Sequence, residues 1–183
     1  MVSEVLGATL SVFAEQGYAG LTVEAVAARA SVNKTTIYRR WPSKAELLAA
    51  ALMSLRDDEP EAPDTGSLRE DLLLLLRRVT ERMATPTWRA IMQAVLLGNA
   101  DPELQAILQR MRDTRPAIPP LVIERAIKRR ELPKGSDPDL IVAALLGPLH
   151  TRTFWKRQTV DDRFIRGLVN LVVSGAAVGG ARS

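Results

Sequence analysis

LTVEAVAARASVNKTTIYRRWPSK, residues 21–44, decides the fold of the N-terminal part of this chain. Thr22 is a good helix N-cap, and Glu24 in the first turn suits the positive end of the helix dipole. Val23, Val26, Ala27 and Ala30 recur at helical spacing, which predicts a short helix over 22–30 with one apolar face. Ser31 and Val32 form a tight turn. Asn33 caps a second helix carrying Lys34 through Trp41, and Pro42 stops it. Ser43, with Glu46 three positions on, is a capping box that opens the next helix. Two short helices joined by so short a turn are a helix-turn-helix signature.

The second helix can be read face by face. At about 100° per residue, Ile37 and Trp41 share one side, the buried one. Thr35 and Arg39 lie about 200° away from Ile37 and point outward. Lys34 and Tyr38 flank them on one side, Thr36 and Arg40 on the other. From residue 29 to 44 there are five Lys or Arg and no Asp or Glu. A charge run alone is usually a solvated face. Here capping, turn, apolar face and charge agree, and the outward face suits the DNA major groove. Thr35 and Arg39 are expected at base edges, with Lys34 and Thr36 beside them. Tyr38 and Lys44 are expected on phosphates, assisted by Thr22 at the amino end of its helix. Asn33 and Arg40 complete the expected DNA-binding set.

TVEAVAARASVNKTTIYRRWPSKAELL resembles the DNA-binding domain of the TetR family of bacterial repressors. The strongest matches are Thr36-Ile37-Tyr38, the aromatic Trp41, and Ser43-Lys44 at the next helix start. The preceding FAEQGYAGLTVEAVA also fits, with Phe13, Gly17, Tyr18 and Thr22 in the expected places. Ser31 stands where the family usually has Gly in the turn. Nothing before Arg29 is basic, whereas family members often carry a basic arm before the first helix. The motif covers about a quarter of the chain; the remainder matches in helical organisation and length. The resemblance implies a repressor that binds a palindromic operator as a dimer, with an inducer pocket in a C-terminal helical bundle.

Composition narrows the alternatives. The chain has 183 residues, 46% of them hydrophobic and few aromatic, which suits an all-α Leu/Ala/Val bundle. Its net charge of +4 is mild. There is no cysteine and one histidine, so neither a Cys/His dyad nor a zinc cluster can be built. Gly-rich phosphate loops are absent, and Asp57, Asp58, Glu59 and Glu61 lack the spacing of a calcium loop. His150 sits in an apolar stretch, as core, interface or pocket residue. Neither enzyme activity, nor a cofactor, nor a metal is expected. The longest apolar stretch, 140–149, is far short of the roughly 20 residues that span a bilayer. With no basic leader before it, the chain reads as cytoplasmic.

Taken in order, residues 2–15 form a helix ending at Gly17. A helix over 43–55 presents Leu47, Leu48, Ala51 and Leu55, and an acidic Pro-rich loop follows at 57–66. Ser67 with Glu70 opens a leucine-rich helix. Thr85-Pro86, Asp101-Pro102 and Asp137-Pro138 each place a cap before a proline at the first helical position. Helices are expected near 102–114 and 120–130, and Thr159 with Asp162 precedes the last one. Nine or ten helices result, in an N-terminal helix-turn-helix domain, 1–42, and a C-terminal ligand-binding and dimerisation domain, 43–183.

Leu75, Val79, Trp88, Met92 and Met111 are the candidates for an apolar or amphipathic effector, Met being adaptable and such bundles able to hold cavities. The last two helices are apolar nearly all round, so each needs a second burial partner beyond its own domain. Leu145, Leu149, Leu168, Leu171 and Val172 are therefore candidates for a homodimer interface. The expected function is a dimeric transcriptional regulator acting on double-stranded operator DNA under a small effector. The alternative is a DNA-binding protein without a ligand, whose bundle serves only dimerisation or protein contacts.

Overall fold

The computed structural model describes residues 1–55, 61–96, 101–114 and 118–179. Among them there is no strand. The helices are α1 (Val2–Gly20), α2 (Val23–Ala30), α3 (Lys34–Tyr38), α4 (Lys44–Ser54), α5 (Leu68–Met83), α6 (Pro86–Leu96), α7 (Pro102–Thr114), α8 (Pro120–Lys128), α9 (Pro138–His150) and α10 (Asp162–Gly179). A π-helical turn, Thr151–Trp155, follows α9 directly.

Local capping accounts for most of the boundaries. Thr22, Asn33 and Ser43 accept the amides of Ala25, Thr35 and Glu46. Thr85, Asp101 and Asp137 do the same at α6, α7 and α9. Each cap satisfies an amide that the helix itself leaves unpaired, an effect of about 1 kcal/mol. Several expectations need correction. Gly17 does not end α1 but breaks it: at φ 68 it leaves the helical region, and one further turn follows. The cap of α10 is Asp161, whose carboxylate takes the Phe164 amide at 2.8 Å, and not Thr159. On α4 the fourth apolar residue turned inward is Leu52, while Leu55 is exposed. The loop residues Asp57, Asp58 and Glu59 lie outside the described set.

The chain packs as two compact units, one from the described parts of 1–59 and 84–115, the other from those of 60–83 and 116–183. This grouping does not follow a division at residue 42, because α4 packs against α1 and α7. In the first unit α1 lies against α2, α4 and α6, and α2 against α3. Its core includes Val12, Phe13, Leu21, Val26, Ile37, Leu47, Leu48 and Leu104. In the second unit α5 packs on α8 and α10, and α9 on α10. The stripe Leu72, Leu75, Leu76, Val79 and Met83 is buried there, as are Leu145, Leu149, Ile165 and Val169. Fully burying each such side chain contributes about 1.5–3 kcal/mol.

The second unit also contains a buried ion cluster. Asp71 has no exposed surface. Its carboxylate accepts the amide and hydroxyl of Thr65, both at 2.8 Å, and Arg129 at 3.4 Å. Arg129 also reaches Glu131 at 2.6 Å and Asp64 at 3.1 Å, and Glu131 in turn accepts the Leu68 amide. The first amide of α5 is thus taken by Glu131, 63 positions away, and its first-turn acid Asp71 is held by Thr65 and Arg129.

Candidate nucleic-acid interface

The turn between α2 and α3 is built by Ser31, which adopts the left-handed conformation at φ 54, ψ 40. That lets the Val32 amide return to the Ala27 carbonyl at 3.0 Å, closing α2. Asn33 then caps α3, its side-chain oxygen accepting both the amide of Thr35 at 2.9 Å and its hydroxyl at 2.8 Å. The Thr35 hydroxyl has therefore spent its proton but keeps its lone pairs as acceptors.

Ile37 is fully buried and anchors α3 to the core, and Trp41 packs partly buried against the same core. The helix ends at Tyr38, three residues before the expected Trp41. The turn nevertheless continues, with Arg40 and Trp41 donating their amides to the Ile37 carbonyl at 3.0 and 2.9 Å. The last turn tightens because the Arg40 amide donates to the carbonyl three residues back instead of four, and Pro42, which disfavours helical geometry at Trp41 and has no N–H, cannot extend it. Lys34, Thr35, Tyr38, Arg39 and Arg40 are exposed, and Thr36 is half-buried. The expected outward face therefore lies at the surface.

The cations on this surface differ in their engagements. Arg29 makes a two-pronged pair with Glu15 on α1, at 2.5 and 2.7 Å, which holds the Glu15 carboxyl below its ordinary range. Lys34 lies 3.5 Å from Glu24, with both side chains more than half exposed, and such pairs contribute little. The Arg40 guanidinium sits 5.6 Å over Trp41. Lys44 is half-buried and donates to the Tyr18 carbonyl at 3.2 Å, its ammonium 4.2 Å from the Tyr18 ring. Among the described residues Arg39 has no ion pair. Neither Arg29–Glu15 nor Lys44–Tyr18 had a sequence signal, since each joins helices distant in the chain.

The other candidate residues are distributed as follows. Leu75 and Val79 are buried on α5 in the second unit, whereas Trp88, Met92 and Met111 belong to the first, partly buried on α6 and α7. Leu145, Leu149 and Leu168 are buried within their own unit, which leaves them little surface for a partner. Leu171 is 72% exposed, and Val172 is half-buried. His150 is half-buried, its ring 6.1 Å from that of Phe154, and burial lowers its pKa. Among the described residues no group of acids and histidine could hold a metal, and no helix is long and apolar enough to cross a membrane.

Comparison with known proteins agrees with this geometry. Residues 5–51 match the family described as bacterial regulatory proteins, tetR family, and residues 62–172 match the tetracyclin repressor-like C-terminal domain. The chain is 35% identical to a helix-turn-helix-type transcriptional regulator of Mycobacterium tuberculosis, over 93% of its own length and 85% of the relative's. It is 33% identical to the DNA-binding transcriptional repressor TetR of Mycobacteroides abscessus, over 97% and 94% of the two chains. Its fold is that of the transcriptional regulator FadR from Bacillus subtilis, solved in complex with stearoyl-CoA, with a TM-score of 0.75, 21% identity, and coverage of 94% and 97% of the two chains.

Proposed function

The chain is a helix-turn-helix transcriptional regulator of the TetR family, and we propose that it works as a cytoplasmic homodimeric repressor, bound to a palindromic operator and released by an apolar or amphipathic small molecule. The observation that carries the DNA-binding part is α3 itself: Ile37 is fully buried, and Thr35, Tyr38 and Arg39 are exposed on a helix that bears no acid. Thr35 and Arg39 then read base edges, and Lys34, Tyr38, Arg40 and Lys44 meet phosphates, with Thr22 and Asn33 holding the helix starts.

Two further observations support the rest of the reading. Leu140 is 66% exposed on α9 and Leu171 72% exposed on α10, and Leu171 lines an open groove of about 610 Å³ with Pro148, Phe164 and Leu168, rimmed by the charged Arg152, Asp161 and Arg163. A second copy covering this face would bury it and would supply the second reading head that a palindrome needs. That a protein of the same fold holds stearoyl-CoA supports an apolar or amphipathic effector. Trp88, Met92 and Met111 remain the proposed effector contacts in the first unit, and Leu75 and Val79 those in the second. Effector must favour the state that does not bind DNA, or it shifts nothing.

The test is operator selection from a randomised duplex library, followed by binding profiles of variants. Arg39→Ala is expected to relax preference at particular base pairs, by about 1–3 kcal/mol per lost two-pronged contact. Lys44→Ala is expected to weaken all sequences alike. An Arg39→Ala profile identical to that of the unmodified protein would refute the assignment of base reading to Arg39.

A further inference from the structure

Lys44, the first residue of α4, is held by the main-chain carbonyl and the ring of a single residue, Tyr18, whose hydroxyl also reaches α7. The kink at Gly17 turns the chain so that Tyr18 points inward, only 4% exposed. Its carbonyl accepts Lys44 Nζ, and its ring lies under the same ammonium. Its hydroxyl donates to the carboxylate of Glu103, in the first turn of α7. All three residues belong to the first compact unit, in which α7 also packs directly against α4.

We propose that Tyr18 and Glu103 are positioning residues for the Lys44–phosphate contact, so that the place of α7 sets the place of the Lys44 ammonium. The proposal rests on the reading of the chain as an operator-binding protein. Physically, a lysine ammonium ends a long flexible stem and loses rotamer freedom when it binds a phosphate. The Tyr18 carbonyl and ring pay part of that ordering beforehand, the preorganisation that favours binding. Of the three ammonium protons one goes to the Tyr18 carbonyl, and the others remain for a phosphate. Tyr18 is itself held by Glu103: burial, and then this carboxylate, raise the phenol pKa, so the hydroxyl stays a donor across the physiological range. Displacement of α7 breaks the hydroxyl–carboxylate bond and frees the tyrosine ring. The cation resting on that ring is then less well placed. Because α7 also carries Met111, the relay gives an effector a short route to one phosphate contact.

The experiment measures affinity for an operator duplex, selected by the unmodified protein from a randomised library, across a range of salt concentrations. Tyr18→Phe keeps the ring and loses the bond to Glu103; Glu103→Ala loses the same bond from the other side. Both are expected to lower the slope of log affinity against log salt by up to about 1, the share of one phosphate contact. Glu103→Gln, which keeps an acceptor, is expected to retain the unmodified slope. In a Lys44→Ala background, Tyr18→Phe is expected to add nothing. A purely structural role would lower the melting temperature and leave the salt slope alone. Unchanged slopes in Tyr18→Phe and Glu103→Ala, or effects additive with Lys44→Ala, overturn the proposal while leaving operator binding intact. Failure of the unmodified protein to show salt-dependent duplex binding overturns both.

Discussion

Replacing Arg129 by Ala strips from a fully buried carboxylate the one cation paired with it among the described residues. Asp71 accepts three hydrogen bonds, two of 2.8 Å from Thr65 and one of 3.4 Å from Arg129. Breaking a buried pair from one side costs about 3–5 kcal/mol, because an uncompensated charge remains. Two corrections lower that figure. The Thr65 bonds survive, and the Arg129 contact is long, its side chain 25% exposed. Loss of the 2.6 Å contact to Glu131 works the other way, although Glu131 can turn to water. The net expectation is a loss of about 3 kcal/mol. For a protein of this size that lowers the melting temperature by roughly 6–12 °C, at about 2–4 °C per kcal/mol. Scanning calorimetry, with urea titration as a second probe, measures it. The double variant Arg129→Ala/Asp71→Asn is the sharper arm. It keeps an oxygen for Thr65 and removes the orphaned charge, so it is expected to melt above Arg129→Ala. A fall below about 2 °C for Arg129→Ala, or a double variant less stable than the single, would refute the buried-charge argument.

Three other perturbations have directions set by the structure. Ser31→Gly relieves a left-handed residue in the helix-turn-helix turn and is expected to raise stability by up to about 1 kcal/mol, whereas Ser31→Val is expected to lower it; melting curves decide. His150 has its pKa lowered from 6.5 by burial, so below pH 6.5 the unfolded chain takes up a proton before the folded one does. Stability is therefore expected to fall as pH drops from 6.5 toward the lowered folded value, and His150→Asn is expected to flatten that part of the melting-temperature profile. Leu171→Glu on the exposed face of α10 is expected to give a folded monomer by sedimentation, with much weaker operator binding; a dimer of unchanged affinity would exclude this face.

What was legible in the sequence was local. Thr22, Asn33, Ser43 and Asp137 could be read as caps because a cap and its amide lie within three residues. Ile37 could be placed inside because helical period alone puts it opposite Arg39. Asp71 shows the limit. In a helix start it reads as an exposed first-turn acid, yet Thr65 and Arg129 enclose it, and the latter arrives from 58 residues away. The same holds for α10. Helical spacing puts Phe164, Leu168, Leu171 and Val172 on one side, with Ile165, Val169, Val173 and Ala176 extending the apolar surface around it. The observed inward face takes Ile165, Leu168 and Val169 together, leaving Leu171 outside. Two apolar faces on one helix carry no local mark of which meets the neighbouring helix; packing of α5 and α9 decides it.

The charge on the reading surface is where the sequence count and the structure diverge most. Five cations between residues 29 and 44 suggest a uniformly basic face. In the fold, Arg29 is matched by Glu15, and Lys44 is seated on Tyr18. Lys34 is loosely matched by Glu24, and Arg40 lies against Trp41. Lys34 can exchange Glu24 for a phosphate at little cost, because both groups are already largely hydrated. Arg29 cannot do so as cheaply, since its two short bonds to Glu15 tie α2 to α1. The basic run therefore separates by engagement. Arg29 is tied into the fold, Lys34 and Lys44 hold defined positions from which, on the proposed DNA-binding reading, they meet phosphates, and Arg39 is exposed without an ion pair among the described residues. Of these, Arg39 is the cation whose fork can be turned wholly toward a base edge, which is why sequence preference is expected to depend on it more than on any other residue of the run.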